Sequence, residues 1–387
     1  MAVVLLLAAY LISVVPAQKG RISGGKQLTS LRNSYCWAPT WSPDGRELAF
    51  VVAPRLEAAH PGLSMAEFVK ALVPGNVYGP PAGAQVCTMS LADKKVATLG
   101  SGWAPLWYPI KGALLYLEQA SERRYPSGHL RGQFAWAKGK ARGGEVRLPG
   151  PDVYIECCLS PDGRLLAFVA FHEPYETVVG MADLESGKSQ QLAQGRIGLT
   201  RLAGWSEAGD FLFYLSEGVL YRWRRDSKKV SRVAAGVGLA NPGAVAPKGD
   251  RLVLAGRLKR GQAQWEWELP VVNSDSGKQQ VIARLQNGRV QEALWQPHGD
   301  WLAYAGEDDK GWRLELVSSD GKKHKTLVHS RSPLHGLAWS PDGRRIAYVV
   351  GGPIYLGEPP GPFRPDGQLW WVKTPAPRQP SAPSPQR

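Results

Sequence analysis

Cysteine is scarce, with four in 387 residues. That excludes a fold built on a disulfide framework. Long apolar runs are scarce as well. Beyond the first 17 residues, no stretch reaches the roughly 18 apolar residues that a spanning helix needs. A Gly-x-Ser-x-Gly pentapeptide is missing, and with it the nucleophile elbow of the common serine hydrolases. No His-x-x-x-His pair offers two metal ligands on one helical turn. Acidic residues are outnumbered, 33 against 47 basic ones, for a net charge of +14. An anionic partner fits that balance, and so does a well-solvated surface.

What is abundant is turn-forming and aromatic. Glycine numbers 44, proline 31 and tryptophan 15. Hydrophobic residues make up 43%, enough for a large core, so wholesale disorder is excluded. Many turns with many tryptophans point to short strands. Residues 1–17 carry no charged side chain, and Ala2–Val15 is one apolar run followed by Pro16 and Ala17. This predicts a signal peptide cleaved after Ala17, or an uncleaved N-terminal anchor, and hence a periplasmic or extracellular protein. No cysteine follows the run, so a lipoprotein is not expected. Residues 374–387 are rich in proline and predict a disordered, extended tail.

A repeat accounts for the rest. Residues 41–50 read WSPDGRELAF, 159–168 read LSPDGRLLAF and 339–348 read WSPDGRRIAY. Weaker copies are WSEAGDFLFY at 205–214, VAPKGDRLVL at 245–254 and WQPHGDWLAY at 295–304, with a degenerate WYPIKGALLYL at 107–117. The turn glycines Gly45, Gly112, Gly163, Gly209, Gly249, Gly299 and Gly343 fall 40 to 67 residues apart. Proline presets φ, aspartate can bond its own backbone and glycine takes the left-handed position, so the unit closes a tight hairpin. The run after it, such as Leu48–Val52, is apolar on both faces and suits a covered strand. A second turn follows in most units, at Asp93–Lys95, Ser186–Lys188, Asp226–Lys228, Ser276–Lys278 and Asp320–Lys322. Four strands per unit, here named A to D, make a β-propeller blade. The expectation is an all-β, seven-bladed propeller over residues 18–373, with six blades if 107–117 is not a full unit. The last unit lacks a D strand. Residues 24–31 should supply it by pairing with 368–373, closing the ring without a free edge.

The repeat over about 26–373 resembles that of TolB-like propellers, which share it with the propellers of prolyl-oligopeptidase-type enzymes and of oligogalacturonate lyase-like proteins. The resemblance identifies the fold better than the function. Likeness to TolB implies a periplasmic protein-interaction scaffold. Because the first strand follows closely on the apolar segment, neither TolB's separate N-terminal domain nor a peptidase's hydrolase domain is expected. Likeness to the lyases implies a histidine cluster with a metal at the channel mouth, for which His60, His129 and His172 are the candidates.

The binding surface is read from loop lengths. The A–B and C–D turns are tight. The B–C connections are long at Pro54–Gly83, Gln119–Arg131 and Gly351–Asp366, in units that neighbour one another round a closed ring. Long loops on a rigid scaffold are where binding concentrates. The candidate ligand-binding residues are Arg55, His60, Phe68, Tyr78, Arg123, Arg124, Tyr125, His129, His172, Tyr175 and Tyr355. The insert 54–83 should carry a short helix over Ser64–Leu72, begun by a capping box of Ser64 and Glu67. Basic residues gather in the second unit (Arg123, Arg124, Arg131, Lys138, Lys140, Arg142, Arg147) and the fourth (Arg222, Arg224, Arg225, Lys228, Lys229, Arg232). Trp41, Trp107, Trp205, Trp295 and Trp339 share one slot and read as packing between blades. Asp44, Asp162 and Asp342 read as turn residues. Four buried thiols are expected, because Cys36 and Cys87 lie two strands apart. No catalytic residue, metal or cofactor is expected. The expected partner is a protein or cell-envelope ligand, an anionic one among the options. Nucleic acid is not expected, membrane contact is limited to residues 1–17, and the chain should be a monomer.

Overall fold

The computed structural model describes residues 22–54, 83–109, 113–124, 130–138, 153–172, 176–196, 200–237, 245–254, 257–260, 265–352 and 367–377. Those residues are all strand, turn and coil, with no helix among them. The chain begins with β1 (Lys26–Gln27). Then β2 (Ser34–Trp41), β3 (Glu47–Pro54), β4 (Gln85–Ser90), β5 (Val96–Trp107), β6 (Leu114–Arg124) and β7 (Leu130–Lys138) pair in that order as one sheet. A second sheet holds β8 (Val153–Leu159), β9 (Leu165–His172), β10 (Glu176–Asp183) and β11 (Ser189–Arg196). A third holds β12 (Thr200–Trp205), β13 (Phe211–Ser216), β14 (Val219–Arg224) and β15 (Val230–Ala235). In the fourth, β16 (Arg251–Val253), β17 (Arg257–Arg260) and β19 (Gln279–Gln286) all pair with β18 (Trp265–Asn273). The fifth holds β20 (Arg289–Trp295), β21 (Trp301–Asp308), β22 (Gly311–Ser318) and β23 (His324–Ser330). The last holds β24 (Leu334–Trp339), β25 (Arg345–Val350), β26 (Gln368–Lys373) and, outermost, β1.

The molecule is therefore an all-β propeller. The seven sequence units fall into six sheets, because β5 is continuous. Its first half pairs with β4 up to Gln85↔Ser101, and its second half pairs with β6 from Gly102↔Glu118. The strand is thus outermost in the first unit and innermost in the second. Glycine makes the hand-over sterically possible. A Cβ at Gly102 would lie 2.2 Å from Leu117 O, and one at Gly100 would lie 2.4 Å from Tyr116 Oη.

The ring closes as expected, with a shorter strand. Lys26 pairs with Trp371 and Gln27 with Trp370. Beyond that pair, Leu28 N donates to Leu369 O (2.8 Å) and Leu31 N to Gln368 Oε1 (2.9 Å). Gly24 and Gly25 both have positive φ, and a Cβ at Gly25 would lie 2.1 Å from Tyr348 Oη. Upstream, Ser23 exchanges two backbone hydrogen bonds with His329 of β23. The N-terminal segment therefore spans the last two sheets.

The turn chemistry read from the motif is present bond for bond. Ser42 Oγ donates to Asp44 Oδ1 (2.6 Å) and accepts from Glu47 N (2.9 Å), while Asp44 Oδ1 also accepts from Arg46 N (3.0 Å). Ser160 with Asp162 and Ser340 with Asp342 repeat the set. Gly45, Gly163, Gly209, Gly249 and Gly343 all take positive φ. Gly112 lies outside the described residues. Gly299 breaks the rule, because in its turn the left-handed residue is His298 (φ 55).

The tryptophan slot packs one unit on the previous one. Trp41 Nε1 donates to Ala338 O (2.9 Å), Trp107 Nε1 to Thr40 O (3.2 Å) and Trp339 Nε1 to Leu294 O (3.1 Å). Each acceptor is the residue just before the slot in the neighbouring inner strand. Trp205 meets Trp223 edge-on at 6.0 Å instead, and Trp295 lies under the Arg251 guanidinium at 5.2 Å. Between units, the B strands form an apolar core that includes Phe50, Phe213, Tyr214 and Tyr348, all fully buried.

Four expectations need correction or restriction. Cys36 and Cys87 are buried free thiols, as expected, but Cys157 and Cys158 are only half-buried. The reason is their place on β8, an innermost strand, where one flank is the channel wall. The expected loop Gln119–Arg131 is mostly strand: β6 runs to Arg124 and β7 starts at Leu130, because polar residues there continue the ladder. The first residues of the expected free tail are bonded to the propeller, as described below. The apolar segment 1–17 and the helix at Ser64–Leu72 lie outside the described residues.

Candidate functional site

Among the described residues, the inner strand carries a bulge within the five residues before the tryptophan slot. Six of the seven units show it: Trp37/Thr40, Trp103/Leu106, Tyr154/Glu156, Leu202/Gly204, Val290/Glu292 and His335/Ala338. In three neighbouring units round the ring, the bulge turns through a left-handed residue: Gly336 (φ 62), Ala38 (φ 48) and Ala104 (φ 50). For alanine that conformation is strained, at about 1 kcal/mol or more. Pro39 and Pro105 follow those alanines, so the next backbone donor is missing there.

Two bulges carry a carboxylate instead. Glu292 Oε2 accepts from Leu337 N of the next unit (2.9 Å), and Gly336 N also bonds to this carboxylate. Glu156 Oε2 accepts from Leu202 N of its next unit (2.7 Å), and its other oxygen meets Arg201 Nε. The inner wall is thus stitched by carboxylates where the neighbouring bulge offers N–H groups. Burial pushes Glu292 up to about 7, against the pull of the two backbone donors. Burial also raises Glu156, with Arg201 opposing it. Sequence reading missed both residues. Each sits three positions before its unit's packing slot, at Leu159 and Trp295, so lining the units up on that slot would have exposed them.

Where described, the B–C side of the later units bonds to itself. Arg196 pairs with Glu217 (3.0 Å), Arg289 with Glu307 (3.4 Å) and Asn287 Nδ2 with Asp309 Oδ2 (2.9 Å). In the same sheet, Glu315 is buried and takes bonds from Thr326 Oγ1 (3.1 Å), Tyr304 Oη and Arg313. These are closed networks with little left for a ligand.

The second unit differs. Its B strand, β6, runs ten residues past Leu114, which faces the Trp107 slot. In the other units the B strand runs at most six residues past the equivalent position, as in β3, β9 and β21. Between Gln119↔Gly132 and Arg124↔Leu130, β6 advances five residues while β7 advances two, so the extra residues partly bulge out and the hairpin lengthens by about 7 Å. The ladder continues there through Arg124↔Leu130. Arg123 and Arg124 thus stand at the end of an extended hairpin rather than in a loop. His172 ends β9, paired with Glu176, so it too is a strand residue and not a loop one. Its tight hairpin leaves no long B–C loop in that unit. Arg55, His60, Phe68, Tyr78, Tyr125, His129, Tyr175 and Tyr355 lie outside the described residues. Among the described residues, no three His, Cys, Asp or Glu side chains gather as a metal site would need; of the histidine trio, His60 and His129 lie outside the described residues.

The basic group in the fourth unit is partly engaged between blades. Arg225 pairs with Asp162 (2.6 Å) and Arg222 with Asp275 (2.6 Å), both across unit boundaries. Burial pushes Asp162 up, but hydrogen bonds from Arg225 and Ser160 outweigh it and hold the carboxyl at about 2. Lys228, Lys229 and Arg232 stay exposed.

No family model matches the chain. Its repeats match TolB proteins of the Tol-Pal system: 29% identity over 105 residues to that of Bordetella pertussis and 29% over 86 residues to that of Acinetobacter baylyi. The chain is a β-propeller with TolB-like repeats. The matches cover 26% and 20% of the chain and only 22% and 20% of those relatives' own length. In three dimensions the TolB-like propeller is similar to oligogalacturonate lyase from Vibrio parahaemolyticus, with a TM-score of 0.57. That likeness covers 92% of this chain and 99% of the other at 10% identity, and shows the fold. Among the described residues of the TolB-like propeller, no helix is long and apolar enough to cross a membrane.

Proposed function

We propose that this propeller is an exported, non-enzymatic scaffold that binds a protein or cell-envelope ligand on its B–C side. One observation carries the reading. The fourth and sixth units close that side with tight, self-bonded turns, while the second unit raises a long hairpin ending in Arg123 and Arg124. The inserts at 54–83 and 351–366 belong to its ring neighbours, so the contact surface is one lobe over the first, second and last units. Arg131 belongs to the same hairpin, which favours an anionic face on the ligand. The TolB matches favour a protein partner in the envelope. The apolar segment 1–17 supports export, with membrane contact limited to that segment, and the chain acts as a monomer. Seven blades fit this arrangement, because Trp41 and Trp107 each make their own inter-unit bond although β5 joins their sheets.

The test is capture from an envelope extract by the full chain and by a chain with residues 56–81 replaced by a short Gly-Ser linker, and by Arg123→Ala/Arg124→Ala. Loss of the same partner in both variants is expected. Unchanged capture removes this surface. The likeness to a lyase supports a rival reading, metal-assisted cleavage of an anionic polysaccharide. A stoichiometric divalent metal in the purified chain, lost in His129→Ala/His172→Ala, would replace the scaffold reading.

A further inference from the structure

The turn of the sixth unit departs from the motif. Its sequence is Gln296-Pro297-His298-Gly299, where four other units have serine at the first position: Ser42, Ser160, Ser206 and Ser340. In those four, serine Oγ accepts a backbone N–H of its own turn. Gln296 gives up that local bond. Its side chain is fully buried and reaches to the last unit, where Nε2 donates to Gly343 O (2.7 Å) and to Pro375 O (2.9 Å). Pro375 belongs to the segment after β26. Thr374 N donates to Arg344 O (2.9 Å) and Thr374 Oγ1 to Gly343 O (3.0 Å). Pro377 packs on the same glycine: a Cβ at Gly343 would meet Pro377 Cγ at 2.8 Å. The other amide atom stays in its own turn: Gln296 Oε1 is buried, has no hydrogen-bond partner among the described residues and sits against Gly299, where a Cβ would meet it at 2.1 Å.

The segment has a period. Pro377, Pro380 and Pro383 are spaced by three, the repeat of a polyproline II helix. Pro377 already faces the propeller. We propose that the seam between the sixth and seventh units, on the A–B-turn side, is a binding site for a polyproline II peptide, occupied by this chain's own residues 374–383. Gln296 reads the backbone carbonyl, Gly343 leaves room for the first proline ring, and the spacing of Pro380 and Pro383 in the sequence suits the same ligand class. Polyproline II segments suit such a site because little conformational entropy is lost when they bind. The site lies on the side opposite the hairpin of Arg123 and Arg124, so its failure and the failure of the proposed scaffold surface are separate outcomes.

The experiment uses the full chain and trypsin, which can cleave after Arg378. Release of the peptide beginning at Gln379 is followed by mass spectrometry, with thermal unfolding as a control. Pro380→Ser/Pro383→Ser is expected to leave unfolding unchanged and to speed this cleavage by about tenfold, since cleavage follows the population of the undocked segment. Gln296→Ala should speed it as well. A synthetic peptide of residues 374–383, added in excess, should bring the unmodified chain toward the variant's rate. Equal cleavage rates in the unmodified chain and the double proline variant would overturn the proposal. So would a peptide that leaves the unmodified rate untouched.

Discussion

Replacing Glu292 by glutamine tests the stitched inner wall. The native carboxyl titrates at about 7 because burial disfavours its charged form. An ordinary glutamate titrates at about 4.3. Between those values the native state holds a proton that the unfolded chain has released. Stability therefore falls as pH rises through this window and levels off above it. At about 1.4 kcal/mol per tenfold change, the whole effect is at most about 4 kcal/mol. Glu292→Gln mimics the protonated form and keeps an oxygen for Leu337 N. It should match the unmodified chain within about 1 kcal/mol at pH 5 and exceed it by about 3–4 kcal/mol at pH 8. Urea unfolding at both pH values measures the difference. Glu156→Gln is the contrast. It sits in the same slot but faces Arg201, so neutralising it leaves a cation without its partner, and no gain at pH 8 is expected. If Glu292→Gln shows the same pH slope as the unmodified chain, the account of this wall is wrong.

Other consequences are simpler. Trp41→Phe loses the bond to Ala338 O and weakens the stacking of Arg345, whose guanidinium lies 4.6 Å from the ring centre. It should cost about 1–2 kcal/mol in chemical denaturation. Gly25→Ala places a Cβ against Tyr348 Oη at a left-handed residue, so the closing strand should detach. A loss of about 2–4 kcal/mol in thermal unfolding, with faster hydrogen exchange at Leu28 and Leu31, would show it. Ser340→Ala removes the bonds that brace the last turn and should cost about 1 kcal/mol, read by urea midpoint.

The turns were legible because their chemistry is local. A Ser-Pro-Asp-Gly sequence contains every donor and acceptor its own bonds need. The strand Gln368–Lys373 matches its expected limits, since an apolar run bounded by turn residues leaves little choice. Ring closure was legible from a missing strand at one end and a spare one at the other. The unbroken β5 was not. Gly100-Ser101-Gly102 resembles any other break between units, and only the close approach of Tyr116 and Leu117 makes it a strand. The candidate loop residues were chosen by loop length, and ladder pairing moved Arg123, Arg124 and His172 onto strands. Gln296 looked like decay of the motif. Its role depends on Pro375, a partner 79 residues away, which no local pattern reveals.

The direction of the tryptophan bonds has a consequence for how the chain comes together during synthesis. Trp107 and Trp339 each reach back to an inner strand that is already made when they emerge. Trp41 alone reaches forward, to a carbonyl 297 residues downstream. The first unit must therefore wait, with its indole N–H unpaired, until nearly the whole ring has been built. A contact of such long sequence separation forms slowly. The earliest blade to leave the ribosome is thus the last to be finished, and it is the one most in need of protection while the chain is incomplete.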